Sequence, residues 1–249
     1  MIEVLSLDLS NYCSKGCDFC YNHSNREGAT MWTTEEVASF AMDCINNGVK
    51  SISLGGGEPF EYEGIFEVIE SLYPHCYLSI TTNGLPLEDD KIWSKLSAVK
   101  PDKIHVTIHH PNDECEVERV ISQIKRLPRI GIKSGVNLLV SSHNLEYAKR
   151  VYSLLIKYLL PDQIILIPQR YSKTPTAKEL AYVTGGKPFQ GPSCLLKCVK
   201  PNNFVSVSWD KRVNYCSYAS GKQQLESLTY EGVINSLKRV VWKSCQQNR

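Results

Sequence analysis

The sequence predicts an α/β fold: a partial (β/α)6 barrel of TIM type with a small hairpin-plus-helix extension at its C-terminal end. Three observations carry this reading. Short runs rich in branched residues alternate with amphipathic segments of helical period, about six times before residue 170. Consecutive parallel strands require right-handed crossovers, so such units wind into an open or partly closed barrel with helices outside. After Pro168 the alternation stops, and a polar stretch rich in Lys, Thr, Gly and Pro follows.

The expected strands cover residues 3–10, 50–54, 76–81, 103–109, 133–140 and 163–167, and the expected helices 33–47, 61–72, 89–98, 114–127 and 145–159. The first helix has a clear start signal. Thr33 or Thr34 can cap free amides, and Glu35 and Glu36 suit the positive end of the helix dipole. Residues 169–192 read as a linker. Beyond it, runs at 203–208 and 213–215 flank Trp209-Asp210-Lys211-Arg212 as a hairpin, and a last helix covers 230–242. The expected division is therefore a barrel over 1–190 and a small module over 191–249.

The 249 residues can bury one sizeable core and a small appended module. The net charge of +2 gives no broad electrostatic reason to expect nucleic acid or an anionic membrane as a partner. Neither a signal peptide nor a bilayer-spanning run is evident, which predicts a cytoplasmic protein. In that compartment the 10 cysteines point to metal ligation rather than structural disulfides. Cys44, Cys76 and Cys115 stand singly and read as small apolar fillers. The others fall into an N-terminal group, Cys13, Cys17 and Cys20, and a C-terminal group, Cys194, Cys198, Cys216 and Cys245.

A C-x3-C-x2-C triplet can ligate three irons of a cubane cluster from one loop and leave the fourth iron open. A zinc site is the competing reading, although structural zinc takes four protein ligands. In a barrel the functional residues belong at the C-terminal ends of the strands. There the triplet follows the first strand, Gly55-Gly56-Gly57-Glu58-Pro59 the second and Thr82-Asn83-Gly84 the third, while His109 and His110 end the fourth. Glycines let backbone approach a ligand closely; taken alone, the glycine run is also an ordinary strand-to-helix turn. Both histidines are equally compatible with packing or solvent exposure.

The segment Cys13-Ser14-Lys15-Gly16-Cys17-Asp18-Phe19-Cys20 resembles the signature loop of the radical S-adenosylmethionine (SAM) superfamily, and Gly55 to Pro59 is similar to that family's glycine-glycine-glutamate-proline motif. The resemblance covers roughly residues 3–168. It implies a [4Fe-4S] cluster on Cys13, Cys17 and Cys20, with Phe19 beside it, and SAM chelated at the open iron. It also implies SAM contacts from Gly56, Gly57 and Glu58, with the SAM ammonium received in this region. Ribose contacts fall on Thr107 and His109, where the family more often has Ser and Asp, and polar and adenine contacts on Asn137 and Ile167. The implied activity is reductive cleavage of SAM to methionine and a 5′-deoxyadenosyl radical, which abstracts hydrogen from a substrate.

The C-terminal cysteines, bracketing the hairpin, resemble the twitch module of the family's SPASM/twitch branch, which holds a second, auxiliary [4Fe-4S] cluster for electron transfer or substrate binding. Four thiolates satisfy a zinc site as well. The expectation is thus a radical SAM oxidoreductase or modifying enzyme acting on a small metabolite or a peptide, with an electron donor such as flavodoxin or ferredoxin. Because the first strand begins near residue 3, a leader-peptide substrate would need a separate binding protein, which favours a metabolite. Two other readings remain: a non-catalytic iron-sulfur or zinc scaffold or sensor, and a glycyl-radical activating enzyme, which usually carries its extra clusters nearer the first motif.

Overall fold

Along the first three strands, large apolar residues alternate with small polar ones: Leu-Ser-Leu-Asp, Ile-Ser-Leu-Gly and Leu-Ser-Ile-Thr. A period of two puts each set on its own face of a sheet. The computed structural model, which describes residues 1–170, 172–191, 197–243 and 245, shows that arrangement. β1 (Val4–Asp8), β2 (Ser51–Gly55), β3 (Tyr77–Thr82), β4 (Lys103–Ile108), β5 (Lys133–Val140) and β6 (Ile164–Pro168) lie side by side in chain order, all parallel. Leu7, Leu54, Ile80 and Ile104 stand in one register row and are buried. The other face carries Ser6, Ser53 and Ser79 in a parallel row, leaving open volume where bulkier residues would fill it.

The crossovers are α1 (Thr34–Asn46), α2 (Ile65–Leu72), α3 (Asp90–Ala98), α4 (Glu114–Arg126) and α5 (Leu145–Leu155). Thr33 caps α1 in a capping box: its hydroxyl accepts from Glu36 N at 3.2 Å, and its own N–H donates to Glu36 Oε2 at 3.0 Å. α4 starts at Asp113, whose carboxylate accepts from Cys115 N and Glu116 N. Several ends fall short of expectation. α2 begins at Ile65 because Pro59–Glu61 forms a separate 3-10 turn and Gly64 takes a left-handed conformation. α5 ends at Leu155, before the turn leading to Pro161, which cannot continue a helix.

Two differences are larger. The stretch expected to be a linker contains α6 (Ala177–Val183), opened by a Thr176–Glu179 capping box and burying Leu180 and Val183. It packs against α5. The second difference concerns the hairpin, whose strands β7 (Phe204–Val207) and β8 (Arg212–Asn214) do form, followed by β9 (Gln223–Gln224) and α7 (Tyr230–Lys238). β7 pairs in parallel with β1, so the described strands make one sheet in the order β6-β5-β4-β3-β2-β1-β7-β8-β9. The extension thus continues the barrel sheet. Among the described residues, no helix is long and apolar enough to cross a membrane.

Leu7 is fully buried and faces Leu54 on one neighbouring strand and Val207 on the other. Leu7→Ala is expected to cost about 2–5 kcal/mol, read from the urea unfolding midpoint.

Candidate cofactor site

After β1 the chain runs across the end of β2 before turning into α1. Its path is set by backbone bonds: Gly57 N donates to Ser10 O at 2.6 Å and Glu58 N to Tyr12 O at 2.9 Å. Asn11 and Cys13 are bonded to Ala29 and Asn25 on the returning limb. This flat passage needs glycine. Gly56 has φ +111°, and a Cβ there would sit 2.5 Å from Ser10 O. A Cβ on Gly57 would run into the Tyr12 carbonyl. The two glycines therefore hold the cysteine loop as well as exposing backbone.

The result is a cavity of about 260 Å³ at the C-terminal ends of the strands. It brings together Cys13, Cys17, Phe19 and Cys20 from the first loop, Gly56 and Gly57 from the second, and Thr107, His109, Asn137 and Ile167 from β4, its following turn, β5 and β6. Phe19 stacks on His109 at 6.4 Å and meets His110 edge-on at 5.4 Å. Asn83 Nδ2 donates to Cys13 Sγ at 3.5 Å.

Glu58 is placed elsewhere. It is fully buried but does not line the cavity. Its carboxylate accepts from Thr82 Oγ1 at 2.8 Å, Asn83 N at 2.7 Å and Phe60 N at 3.1 Å, so it pins the turn after β3. Burial pushes it up to about 7 in spite of these bonds.

Sequence reasoning missed a second carboxylate. Glu116, in the first turn of α4, accepts from His109 N at 2.8 Å, lies 3.3 Å from His109 Nδ1, and pairs with Lys15 Nζ at 3.2 Å. Burial raises its pKa, but the histidine bonds and the Lys15 ammonium outweigh that and hold it down to about 2. Burial keeps His109 below its ordinary value, against the pull of Glu116. Lys15, between two of the cysteines, is thereby tied to the β4–α4 connection. The available signal was a glutamate in the first turn of a helix just beyond His109, a position that by itself only suits the helix dipole. Asp8, Arg170 and Tyr218 also line the cavity and were missed.

The donor set fits an iron cluster. Three thiols from one loop face a common cavity, beside glycine backbone. Burial pushes Cys17 up to about 11 and raises Cys13 too, so both need a nearby cation in order to ionise, and bound iron supplies one. No three Cys, His, Asp or Glu side chains among the described residues converge as a single metal ion would require. Of the C-terminal cysteines, Cys198, Cys216 and Cys245 are half-buried, and Cys194 lies outside the described residues.

Residues 7–155 match the family model of the radical SAM superfamily. The chain belongs to that superfamily. A probable GTP 3′,8-cyclase of Methanocaldococcus jannaschii is 29% identical over 157 residues, 58% of this chain and 52% of that protein. One from Sulfurisphaera tokodaii is 25% identical over 167 residues, 63% of this chain and 53% of that protein. This radical SAM chain thus spans about half the length of these curated relatives. Among solved structures, Streptococcus suis SuiB bound to precursor peptide SuiA superposes with a TM-score of 0.70 at 16% identity, covering 87% of this chain and 60% of SuiB. Native anSMEcpe with bound AdoMet gives 0.63 at 17% identity, covering 94% of this chain and 83% of that one. At such identities the likeness is one of fold. Family membership implies a [4Fe-4S] cluster and SAM.

Two outcomes follow from the geometry. Gly57→Ala should displace the cysteine loop and lower iron retained after anaerobic reconstitution, whereas Gly55→Ala, whose Cβ would meet only Asp8 Oδ1 at 3.6 Å, should keep it. Glu116 is depressed from 4.5 to about 2, so its contribution to stability is fully present above about pH 4.5 and is lost as pH falls towards 2. Glu116→Gln should destabilise the apoprotein at neutral pH and flatten its acid unfolding limb over that window, measured by urea unfolding at several pH values.

Proposed function

We propose that this chain is a radical SAM enzyme that holds its [4Fe-4S] cluster on Cys13, Cys17 and Cys20 and binds SAM across Gly56, Gly57, Thr107, His109, Asn137 and Ile167. The observation that carries the reading is that the cysteine triplet and these residues, from five separate strand ends, line one cavity. Held by Cys13, Cys17 and Cys20, a [4Fe-4S] cluster would supply the one electron needed to cleave SAM into methionine and a 5′-deoxyadenosyl radical able to take a hydrogen atom from a substrate. The chain's own residues shape the site around that chemistry. Asn83 donates to Cys13, and Glu58 holds Asn83 through its backbone amide. Lys15 and Glu116 tie the cysteine loop to the strand end that carries His109. Phe19 and Ile167 supply apolar wall, which limits water in the cavity.

The substrate is a small metabolite in this reading, and a flavodoxin or ferredoxin supplies the electron. The related cyclases make GTP the first compound to test. The reading extends to a twitch-like module over 191–249, beyond the barrel of 1–190, with an auxiliary [4Fe-4S] cluster on Cys194, Cys198, Cys216 and Cys245. Its support is the position of Cys216 just beyond β8, in a sheet continuous with the strand that feeds the first cysteine loop.

Anaerobically reconstituted protein reduced with dithionite should release 5′-deoxyadenosine from SAM. Changing Cys13, Cys17 or Cys20 to Ala should abolish that release, and near-wild-type release from a folded variant would overturn the assignment. An intact cluster without release in the wild type would point to a non-catalytic iron-sulfur protein. The triple Ala variant should still hold about four irons per chain on the C-terminal cysteines; zinc there, or no metal, would remove the auxiliary cluster from the reading.

A further inference from the structure

One side of the cavity is left unused by the residues assigned to the cluster and SAM. Asp8, at the end of β1, is 1% exposed and lines the cavity, and its Oδ2 has no hydrogen-bond partner. Buried carboxylate oxygens are almost always bonded, so an unbonded acceptor on a residue that lines the cavity is a site for a donor. Lys222 and Asp210 act on it only through their fields and make no ion pair with it among the described residues. Beside it, Tyr21 packs on Tyr218 at 4.6 Å, and the Arg170 guanidinium lies over the Tyr218 ring at 4.9 Å. These residues come from the loops after β1, β6 and β8, brought to one wall by the curvature of the sheet.

The charge balance narrows what this wall takes. Asp8, Lys15 and Arg170 are the charged side chains that line the cavity among the described residues, and Lys15 is already matched by Glu116. The wall itself then holds one carboxylate and one guanidinium. A nucleoside triphosphate would bring several negative charges against Asp8 with one cation of the wall to receive them, which electrostatic complementarity opposes. A molecule with a protonated nitrogen and little net charge suits the wall, and tyrosine rings favour an organic cation beside them.

We propose that Asp8, with Tyr21, Tyr218 and Arg170, forms the substrate-binding wall of the cavity and that its substrate carries an ammonium group, received by Asp8 Oδ2, rather than a triphosphate. This rests on the radical SAM reading and deepens it. Burial leaves Asp8 raised to about 6, and a bound ammonium would hold it ionised. The Tyr21–Tyr218 pair also borders a second cavity of about 420 Å³ whose lining includes Asp210 and Lys222.

The test uses reconstituted, SAM-loaded enzyme with ethylammonium chloride and GTP as probes. Crystals soaked in ethylammonium should place its nitrogen within hydrogen-bond distance of Asp8 Oδ2. In solution, ethylammonium should raise the melting temperature of the wild type and of Asp8→Glu, while binding about tenfold more weakly to Asp8→Asn, as expected for loss of one charge-assisted hydrogen bond. GTP should produce no shift. Ethylammonium seated elsewhere, an equal shift in Asp8→Asn, or GTP ordered against Arg170 would overturn the proposal, and the wild-type crystal decides it even if a variant fails to fold. SAM affinity measured on the same preparations separates the two levels. Lost SAM binding in the wild type would defeat the radical SAM reading, whereas retained SAM binding without a seated probe would defeat only the Asp8 wall.

Discussion

The close passage of the first loop over the end of β2 governs the site. The residues at 10 and 12 offer their carbonyls to the amides of Gly57 and Glu58, and this occurs only because no Cβ stands between the two segments. From that contact the positions of Cys13 upward, Lys15 towards Glu116 and Asn83 towards Cys13 all follow. A glycine-rich strand end is usually credited with admitting a ligand. Here the same lack of side chains admits a neighbouring chain segment first, and the ligand surface is what the two segments leave between them.

Three buried carboxylates around this passage show how partners decide what burial does. Glu58 receives three hydrogen bonds but has no cation beside it, and it remains raised to about 7. Glu116 is buried as well, yet an ammonium and a histidine hold it near 2. Asp8 has no hydrogen bond at Oδ2 and sits at about 6. The first two are structural, one pinning the turn after β3 and the other joining the cysteine loop to β4. Only the third belongs to a residue that lines the cavity.

Much of this was legible in the sequence because it rests on local signals. The βα alternation, the Thr33 cap and the cysteine spacing are short-range patterns, and β1 to β6 and α1 to α5 follow in the order those patterns give, with α2 and α5 each one turn shorter. What the sequence does not announce has a different cause. The motif assigns Glu58 to SAM, while the bonds it makes to residues 82 and 83, some two dozen positions away, leave no local signal. Glu116 and Lys15 are about a hundred positions apart, and no period or spacing announces such a pair. For α6 the Thr176–Glu179 box was present, but the Gly and Pro residues around it weighed towards a loop.

The placement of β7 follows from what an open half-barrel must do with its edges. Six parallel strands leave two unpaired edges, each a row of amides and carbonyls available to another chain. At β6 the edge is capped by Gln190, which accepts from Leu166 N at 2.9 Å. At β1 it is covered by β7, and the covering element does more than hide hydrogen-bonding groups. The turn beyond β7 grips the far end of the cysteine loop: Met31 N donates to Trp209 O at 3.1 Å, Trp32 Nε1 to Ser208 O at 3.2 Å, and Lys211 pairs with Glu36 at 2.7 Å. The cysteine loop is therefore held at its start by the end of β2 and at its exit by the C-terminal hairpin. An extension that looks separable along the sequence is, in three dimensions, part of the frame that fixes Cys13, Cys17 and Cys20 around one cavity.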